Sequence, residues 1–468
     1  MKDLTQGSIF RLLTAMTLPI AAGMVFQTLY FLVDLYFVAG LGDTAIAGVS
    51  AAGAIPFVVL ALTQVLGVGT VALVAHAAGR KDQAEANKVF NQSVLLSALC
   101  GVLTLLAAYL GTGWYMNAVA ADAPAAAAGA TYLYWYGPGL ALQFAVVAMS
   151  SALRGTGLVQ PGVLAQMLTV ILNIVFAPVL IAGWGTHLPL GVAGAGLAST
   201  LAIACGVVFL WIYFVRFERY VALHPSQWRP QRATLKRILA IGLPAGGEFF
   251  MMFLIMVVIY WTIRHFGAAA QAGFGIGYRV MQTFFLPVLA IAFAAAPLAG
   301  QNFGAGRADR VKQTFYAASV LSSVCMLLAT LLCQWRPDLL VRVFTRDADV
   351  IAAGSLYLRI ATWNAVASGL AFCCSSLFQA MGNTWPALLS SASRLVTFVL
   401  PAVLLVLLQP AFELRHLWYL SVFSVSLQAI ASLALLQREL RLRLPALKAT
   451  GQPGAMPQAA AALEANTE

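Results

Sequence analysis

The sequence predicts an all-α, polytopic membrane protein with twelve transmembrane helices in two pseudo-symmetric six-helix lobes. Three observations predict it. Of the 468 residues 61% are hydrophobic and only 9% charged, whereas a soluble domain carries about a quarter charged residues. Apolar runs near the ~20 residues that a bilayer requires recur twelve times. The chain also repeats itself: Leu18-Pro19-Ile20-Ala21-Ala22-Gly23 returns as Leu243-Pro244-Ala245-Gly246-Gly247-Glu248, at an offset of 225 (243 − 18). Gly79-Arg80 returns as Gly306-Arg307 at offset 227, Gly157 to Pro161 as Gly382 to Pro386 at 225, and Pro178 as Pro401 at 223. An internal repeat of apolar spans is the mark of a transporter whose substrate site lies between similar lobes.

In chain order the apolar stretches cover about 12–38, 48–76, 92–112, 129–152, 163–184, 191–215, 239–264, 272–300, 315–335, 354–380, 388–409 and 415–436. The first is too long and too late for a cleavable signal, and no small-residue cleavage site follows a short apolar core. It stays as a span. Six spans per half is an even number, so both halves enter from the same side and are related by an axis along the membrane normal. The organisation is an N-lobe at 1–215, a cytoplasmic linker at 216–238, a C-lobe at 239–444 and a disordered cytoplasmic tail at 445–468. The linker is basic and Pro-interrupted, and its end, 231–238, is predicted as a short interfacial helix feeding the seventh span. Gly79 and Gly306 are read as helix ends where glycine tolerates positive φ and the basic residues that follow hold the turn at the headgroups, and the runs Ala193-Gly194-Ala195-Gly196 and Ala292–Ala296 as close helix packing in lipid.

The net charge of +11 is a topology signal and not a nucleic-acid footprint. With the N-terminus inside and the spans alternating, 19 of the 27 Lys and Arg fall on the inner side, five outside, and Arg279, Arg359 and Arg394 within spans. That bias obeys the positive-inside rule, so both termini are expected in the cytoplasm, with loose attraction to anionic membrane lipid. The six cysteines lie in or beside apolar stretches without metal spacing. The five histidines sit at span ends or in loops and are read as interfacial. Nothing resembles a phosphate loop, a nucleophile triad or a zinc motif. An enzyme, a cofactor and a metal are therefore not expected.

The acids discriminate best. Fourteen of sixteen lie in loops, linker or tails; only Asp34, in the first span, and Glu248, in the seventh, interrupt apolar sequence. A carboxylate inside a span costs at least ~2.5–3.5 kcal/mol, which marks it as a functional candidate. Asp34 reads as a coupling acid or a polar end-cap. Glu248 reads as a coupling acid in a Gly-Gly-Glu setting open to water or substrate, or as a partner for backbone freed beside Pro244. Snorkelling is the first reading of the three in-span arginines, and an ion pair across a cavity is the second for Arg394. Asn173 and Gln166 bond either the first span or their neighbours. Phe26, Tyr30, Phe249, Phe250, Met251, Met252, Tyr260, Trp363 and Phe378 lie near the two acids. They are mostly packing, yet Met and aromatic walls suit a loose site for amphipathic cations.

On Gln27…Val33-Asp34…Gly40-Leu41-Gly42, Ala152-Leu153-Arg154-Gly155-Thr156-Gly157, Leu172-Asn173-Ile174-Val175 and Gly277-Tyr278-Arg279…Ala299-Gly300-Gln301-Asn302-Phe303-Gly304-Ala305-Gly306, the chain resembles a multidrug and toxic compound extrusion (MATE) transporter, NorM/DinF-like, over about 8–440. The resemblance implies two six-helix lobes forming a cleft. It also implies export of cationic drugs and dyes by antiport with H⁺ or Na⁺. It places Asp34 on the family's first-span aspartate, Pro19 on the proline whose bend accompanies protonation, and Asn173 on the fifth-span asparagine. Ala177, Ser368 and Met252 stand where branches of the family carry acids; the sodium site therefore lacks its ligands and H⁺ is favoured over Na⁺. The expected coupling residues are Asp34, Glu248 and Asn173. The expected cavity is lined by Asp34, Glu248, Gln27, Tyr30, Met252, Tyr260, Trp363 and Arg394, in a monomer of the bacterial inner membrane. The competing reading is a flippase for lipid-linked oligosaccharide or polysaccharide, which calls for a cleft lined by several Lys and Arg.

Overall fold

Lipid offers no hydrogen-bond partners, so a chain this apolar must satisfy its backbone within helices. The computed structural model describes residues 1–120, 122–185, 187, 189–408 and 412–450, with the backbone alone at 30–35 and 446–450. The described residues form α1 Ile9–Ala39, α2 Asp43–Ala52, α3 Ala54–Gly79, α4 Gln83–Val119, α5 Ala123–Gly155, α6 Gln160–Ile181 and α7 Val192–Arg216. They continue with α8 Arg232–Ile263, α9 Ala268–Gly304, α10 Ala308–Trp335, α11 Pro337–Arg342, α12 Ala348–Ala361, α13 Ala365–Ala380, α14 Trp385–Arg394, α15 Leu400–Leu408 and α16 Leu414–Thr450. Twelve stretches among them are long and apolar enough to cross a bilayer, as the sequence predicts. Side chains set the helix starts. Asp82 accepts from the Glu85 amide at 3.0 Å, Asp122 from Ala125 at 2.7 Å and Asp347 from Asp349 at 2.9 Å, each satisfying an N-terminal donor.

Three spans are interrupted. The second is α2 and α3 with Gly53 between them, the tenth is α12 and α13 around a 3₁₀ turn at Thr362–Asn364, and the eleventh is α14 and α15 joined by a π-helical turn at Leu395–Val399. Three expectations change. Residues 231–238 are no separate helix: α8 runs unbroken from Arg232. The tail does not begin at 445, because α16 continues to Thr450; residues 451–468 lie outside the described residues. The left-handed residue of the first turn is Lys81 (φ 59), not Gly79, and it matches Gly306 (φ 71). Counted from turn to turn, that landmark also keeps the 225 offset.

The chain divides into two compact units, one of Met1–Asp3 with Leu18–Gly246 and one of Leu4–Thr17 with Gly247–Glu468. The division runs inside helices α1 and α8, next to Pro19 and Pro244, rather than at the linker. Proline removes a backbone donor and clashes with the carbonyl four residues back, so each repeat changes unit where its first helix is least bonded. In the first unit Phe90 stacks on Phe214 at 4.6 Å within a core including Phe144 and Leu153. In the second, Phe274, Tyr357, Phe398 and Trp418 form the aromatic core.

Close approach depends on glycine at matching places. A Cβ on Gly48 would lie 2.7 Å from the Gly129 amide nitrogen, and one on Gly273 would lie 2.7 Å from that of Gly354. Both pairs keep the 225 offset. The segments before α1 and α8 are pinned in the same manner. In the second unit Gln301 accepts from the Leu4 amide at 3.0 Å, Asn302 donates to the Leu4 carbonyl at 3.1 Å and Arg307 to Thr5 at 2.7 Å. In the first, Asn87, Asn91 and Gln92 accept from the amides of Ala222, His224 and Gln231 at 2.7, 2.8 and 2.9 Å. The Gln301-Asn302 run therefore holds the N-terminal strap.

Candidate cation and substrate site

Glu248 enters the second unit one turn after Pro244 and is buried, 8% exposed. The Ser375 hydroxyl on α13 donates to its Oε2 at 2.7 Å, and the Ser391 hydroxyl on α14 approaches Oε1 at 3.4 Å. Behind them Gln379 reaches Ser375 at 3.4 Å and Gln428, on α16, donates to Ser391 at 3.2 Å. None of the ion pairs found among the described residues includes Glu248. A carboxylate buried with hydroxyl donors and no cation must balance its charge by taking up a proton or a cation. The expected open space beside it is filled: a Cβ on Gly247 would meet Leu388 at 3.1 Å. Sequence reasoning missed Ser375, Ser391, Gln379 and Gln428, although Ser375 and Gln379 sit four apart on one helical face.

In the first unit Asn173 is fully buried. Its Nδ2 donates to Ser199 at 3.1 Å, and its Oδ1 has no partner among the described residues. Gln166 donates to Gln27, on α1, at 3.0 Å, so the fifth span does bond the first through Gln166. The side chains of Asp34 and Tyr30 lie outside the described residues. Pro19 sits inside α1, which continues through it.

Of the other expected cavity residues in the second unit, Met252, Tyr260, Trp363 and Arg394 make none of the hydrogen bonds or ion pairs found for Glu248 among the described residues. Trp363 is 68% exposed on the 3₁₀ turn, and Met252 is 39% exposed. Tyr260 packs its ring 5.1 Å from Phe274, which lies 5.8 Å from Tyr278 and 5.1 Å from Tyr357. Arg394 belongs with that group, its guanidinium carbon 5.8 Å from the centre of the Phe398 ring. Arg279 and Arg359 are exposed. A separate groove of about 660 Å³ lies between α10 and α16, lined by Lys312, Phe315, Leu436 and Arg441 among others. Among the described residues no three His, Cys, Asp or Glu side chains converge as a metal site would require.

Residues 19–179 and 244–404 each match the family described as MatE. The chain belongs to the MatE family. The two matched segments start and end at the same offset as the helix landmarks. The chain is 24% identical over 385 residues to the multidrug export protein MepA of Staphylococcus aureus strain MSSA476, covering 81% of this chain and 83% of that one. It is 23% identical over 385 residues, with the same coverage, to MepA of Staphylococcus saprophyticus. Among solved structures it resembles an outward-facing multidrug resistance MATE family transporter of the MOP superfamily, with a TM-score of 0.87, 25% identity and coverage of 96% and 99% of the two chains. It also resembles a MOP superfamily transporter from Pyrococcus furiosus, described as having a binding pocket of reverse polarity that suggests a different function, with a TM-score of 0.86, 25% identity and coverage of 95% and 98%. MatE proteins of this kind are multidrug efflux transporters and not enzymes.

Two MatE repeats make a position-by-position comparison possible. At that common offset Glu248, Ser375 and Ser391 correspond to Gly23, Ser150 and Gln166. A Cβ on Gly23 would lie 3.3 Å from Gln166 Oε1, so the first unit fills with a long amide the volume that the second fills with an acid. The Ser150 hydroxyl, whose counterpart binds the carboxylate, is buried without a partner among the described residues. An acid at this position is thus a property of the second MatE repeat only.

Proposed function

We propose that this chain exports cationic amphiphilic drugs by antiport with protons. Asp34, Asn173 and Glu248 carry the coupling, and Gln27, Tyr30, Met252, Tyr260, Trp363 and Arg394 contribute to the substrate path. The observation that carries the reading is Glu248, buried in a span beside two hydroxyls and with no ion-pair partner among the described residues. A serine hydroxyl donates to a carboxylate and accepts from a carboxylic acid, so the Ser375 bond survives loss and gain of a proton. Hard cations need several oxygen ligands at once, and Glu248 has two neighbouring hydroxyl oxygens, which supports H⁺ over Na⁺.

In the inward-facing state the ionised acids attract the lipophilic cation. After the exchange of access, protons neutralise them and the drug leaves. A membrane potential is worth about 2.3 kcal/mol per charge per 100 mV and a tenfold gradient about 1.4 kcal/mol; electrogenic exchange of two protons for one cation therefore drives accumulation outside. The inner-side excess of Lys and Arg supports a bacterial inner membrane with both termini in the cytoplasm, and the complete pair of repeats in one chain supports a monomer. A flippase would need several cations in a cleft, and of the in-span arginines Arg279 and Arg359 are exposed.

The test is ethidium efflux in everted vesicles under an imposed pH gradient or an imposed Na⁺ gradient. Efflux is expected with the pH gradient alone, and Glu248→Gln is expected to abolish it at unchanged expression. Efflux driven by Na⁺ alone, or an unimpaired Glu248→Gln protein, overturns the coupling assignment.

A further inference from the structure

Arg394 is the tenth residue of the 24-residue eleventh span, Trp385–Leu408. Helix rise puts it about 14 Å from one end and about 21 Å from the other. Both distances exceed the reach of an extended arginine, so snorkelling does not explain it. It is half-buried, its Nε is buried without a hydrogen-bond partner, and none of the hydrogen bonds or ion pairs found among the described residues uses its guanidinium. Its neighbours are the Phe398 ring beneath it and, within electrostatic range, Tyr278 and Tyr357. An unpaired charge at this depth is costly and calls for a partner.

Its position relative to the acid is informative. Ser391, which approaches Glu248, lies three residues earlier on α14, so Arg394 stands one turn further along the same face. Glu248 and Arg394 form no ion pair within 4.0 Å, and among the described residues neither has an ion-pair partner. The π-helical turn at Leu395–Val399 begins right after Arg394, and such turns recur at functional sites. At the equivalent positions of the other repeat the first unit has Gly23 and Thr169, both uncharged. Acid and base therefore occur together, in one repeat.

We propose that Arg394 is the anion-binding half of a zwitterion site in the second unit, taking the carboxylate of an aromatic amphoteric substrate whose cationic end is drawn toward Glu248. The proposal rests on the export reading and narrows its substrate class. A guanidinium binds a carboxylate through two parallel N–H donors, and the half-buried Tyr278 and the partly exposed Tyr260, on the rim of the aromatic core, are the rings within reach of a flat aromatic body.

The experiment measures binding to the purified full-length protein by fluorescence polarisation. The matched probes are a rhodamine with a free benzoate, which is a zwitterion at neutral pH, and its methyl ester, which is a cation. Wild type is expected to bind the free acid more tightly than the ester. Arg394→Gln is expected to weaken the free acid about tenfold or more while changing the ester less than twofold, and Arg394→Lys to recover part of the loss. Equal weakening of both dyes, no effect on either, or a wild-type preference for the ester overturns the proposal; the last comparison needs no variant to fold. Discriminating binding without pH-driven efflux would leave this inference standing and defeat the antiport reading. Ethidium efflux with indifferent dye binding would do the reverse.

Discussion

At Glu248 two requirements meet: the membrane interior penalises a bare charge, while the carboxylate must be able to ionise if it is to carry a coupling ion. The Ser375 hydroxyl at 2.7 Å meets both, because it holds the side chain in either protonation state. Hydrogen bonds to charged groups contribute about 1.5–3 kcal/mol. Ser375→Val is therefore expected to lower pH-driven efflux about tenfold or more while leaving the protein folded, and vesicle transport assays read this directly. A Ser375→Val protein that transports at the wild-type rate would show that Glu248 needs no hydroxyl donor. Glu248 is legible in the sequence because acids within spans are so few. Its serines are not, since Ser and Thr are ordinary in transmembrane helices and bond their own backbone as readily as another chain segment. Arg394 is visible as a charge, but its lack of a partner depends on what surrounds it.

Helices here are placed by what they lack. Pro19 and Pro244 sit where α1 and α8 pass from one unit to the other, and glycines sit where two helices touch through their backbones. Gly273→Val should be among the most damaging single changes outside the candidate site, because the new Cβ meets the Gly354 amide nitrogen and the Val350 carbonyl, 2.7 and 2.8 Å away. Overpacking of this kind costs about 1–3 kcal/mol. A lower thermal unfolding temperature in detergent is the expected readout, and unchanged stability would contradict the close crossing. The Pro pair is plain in the repeated Leu-Pro motif. The Gly48–Gly129 and Gly273–Gly354 crossings are not, since thirty-nine glycines give no hint of which ones touch. The identical letters Gly79-Arg80 and Gly306-Arg307 suggest a register that is off by two; Lys81 takes the left-handed turn that Gly306 takes in the other repeat.

For the molecule as a whole, the distribution of charge predicts orientation. A single cysteine placed at Ser226, in the connection between the repeats, or at Arg346, between the ninth and tenth spans, distinguishes the two topologies in a cysteine-free background. Membrane-impermeant maleimide on intact cells is expected to label Arg346→Cys and to spare Ser226→Cys; the opposite pattern would invert the proposed orientation. By itself the sequence determined twelve spans, their grouping into two repeats and the acids that interrupt them, because lipid makes apolar length and rare charge decisive wherever the chain folds. Only the tertiary structure decided that the units divide within α1 and α8, that the Gln301-Asn302 run clamps the N-terminal strap, and that Ser391, one turn before Arg394, approaches Glu248 while acid and base form no ion pair. Those outcomes depend on which residues, distant in sequence, share a few ångströms of space, and no periodicity along a single helix records that.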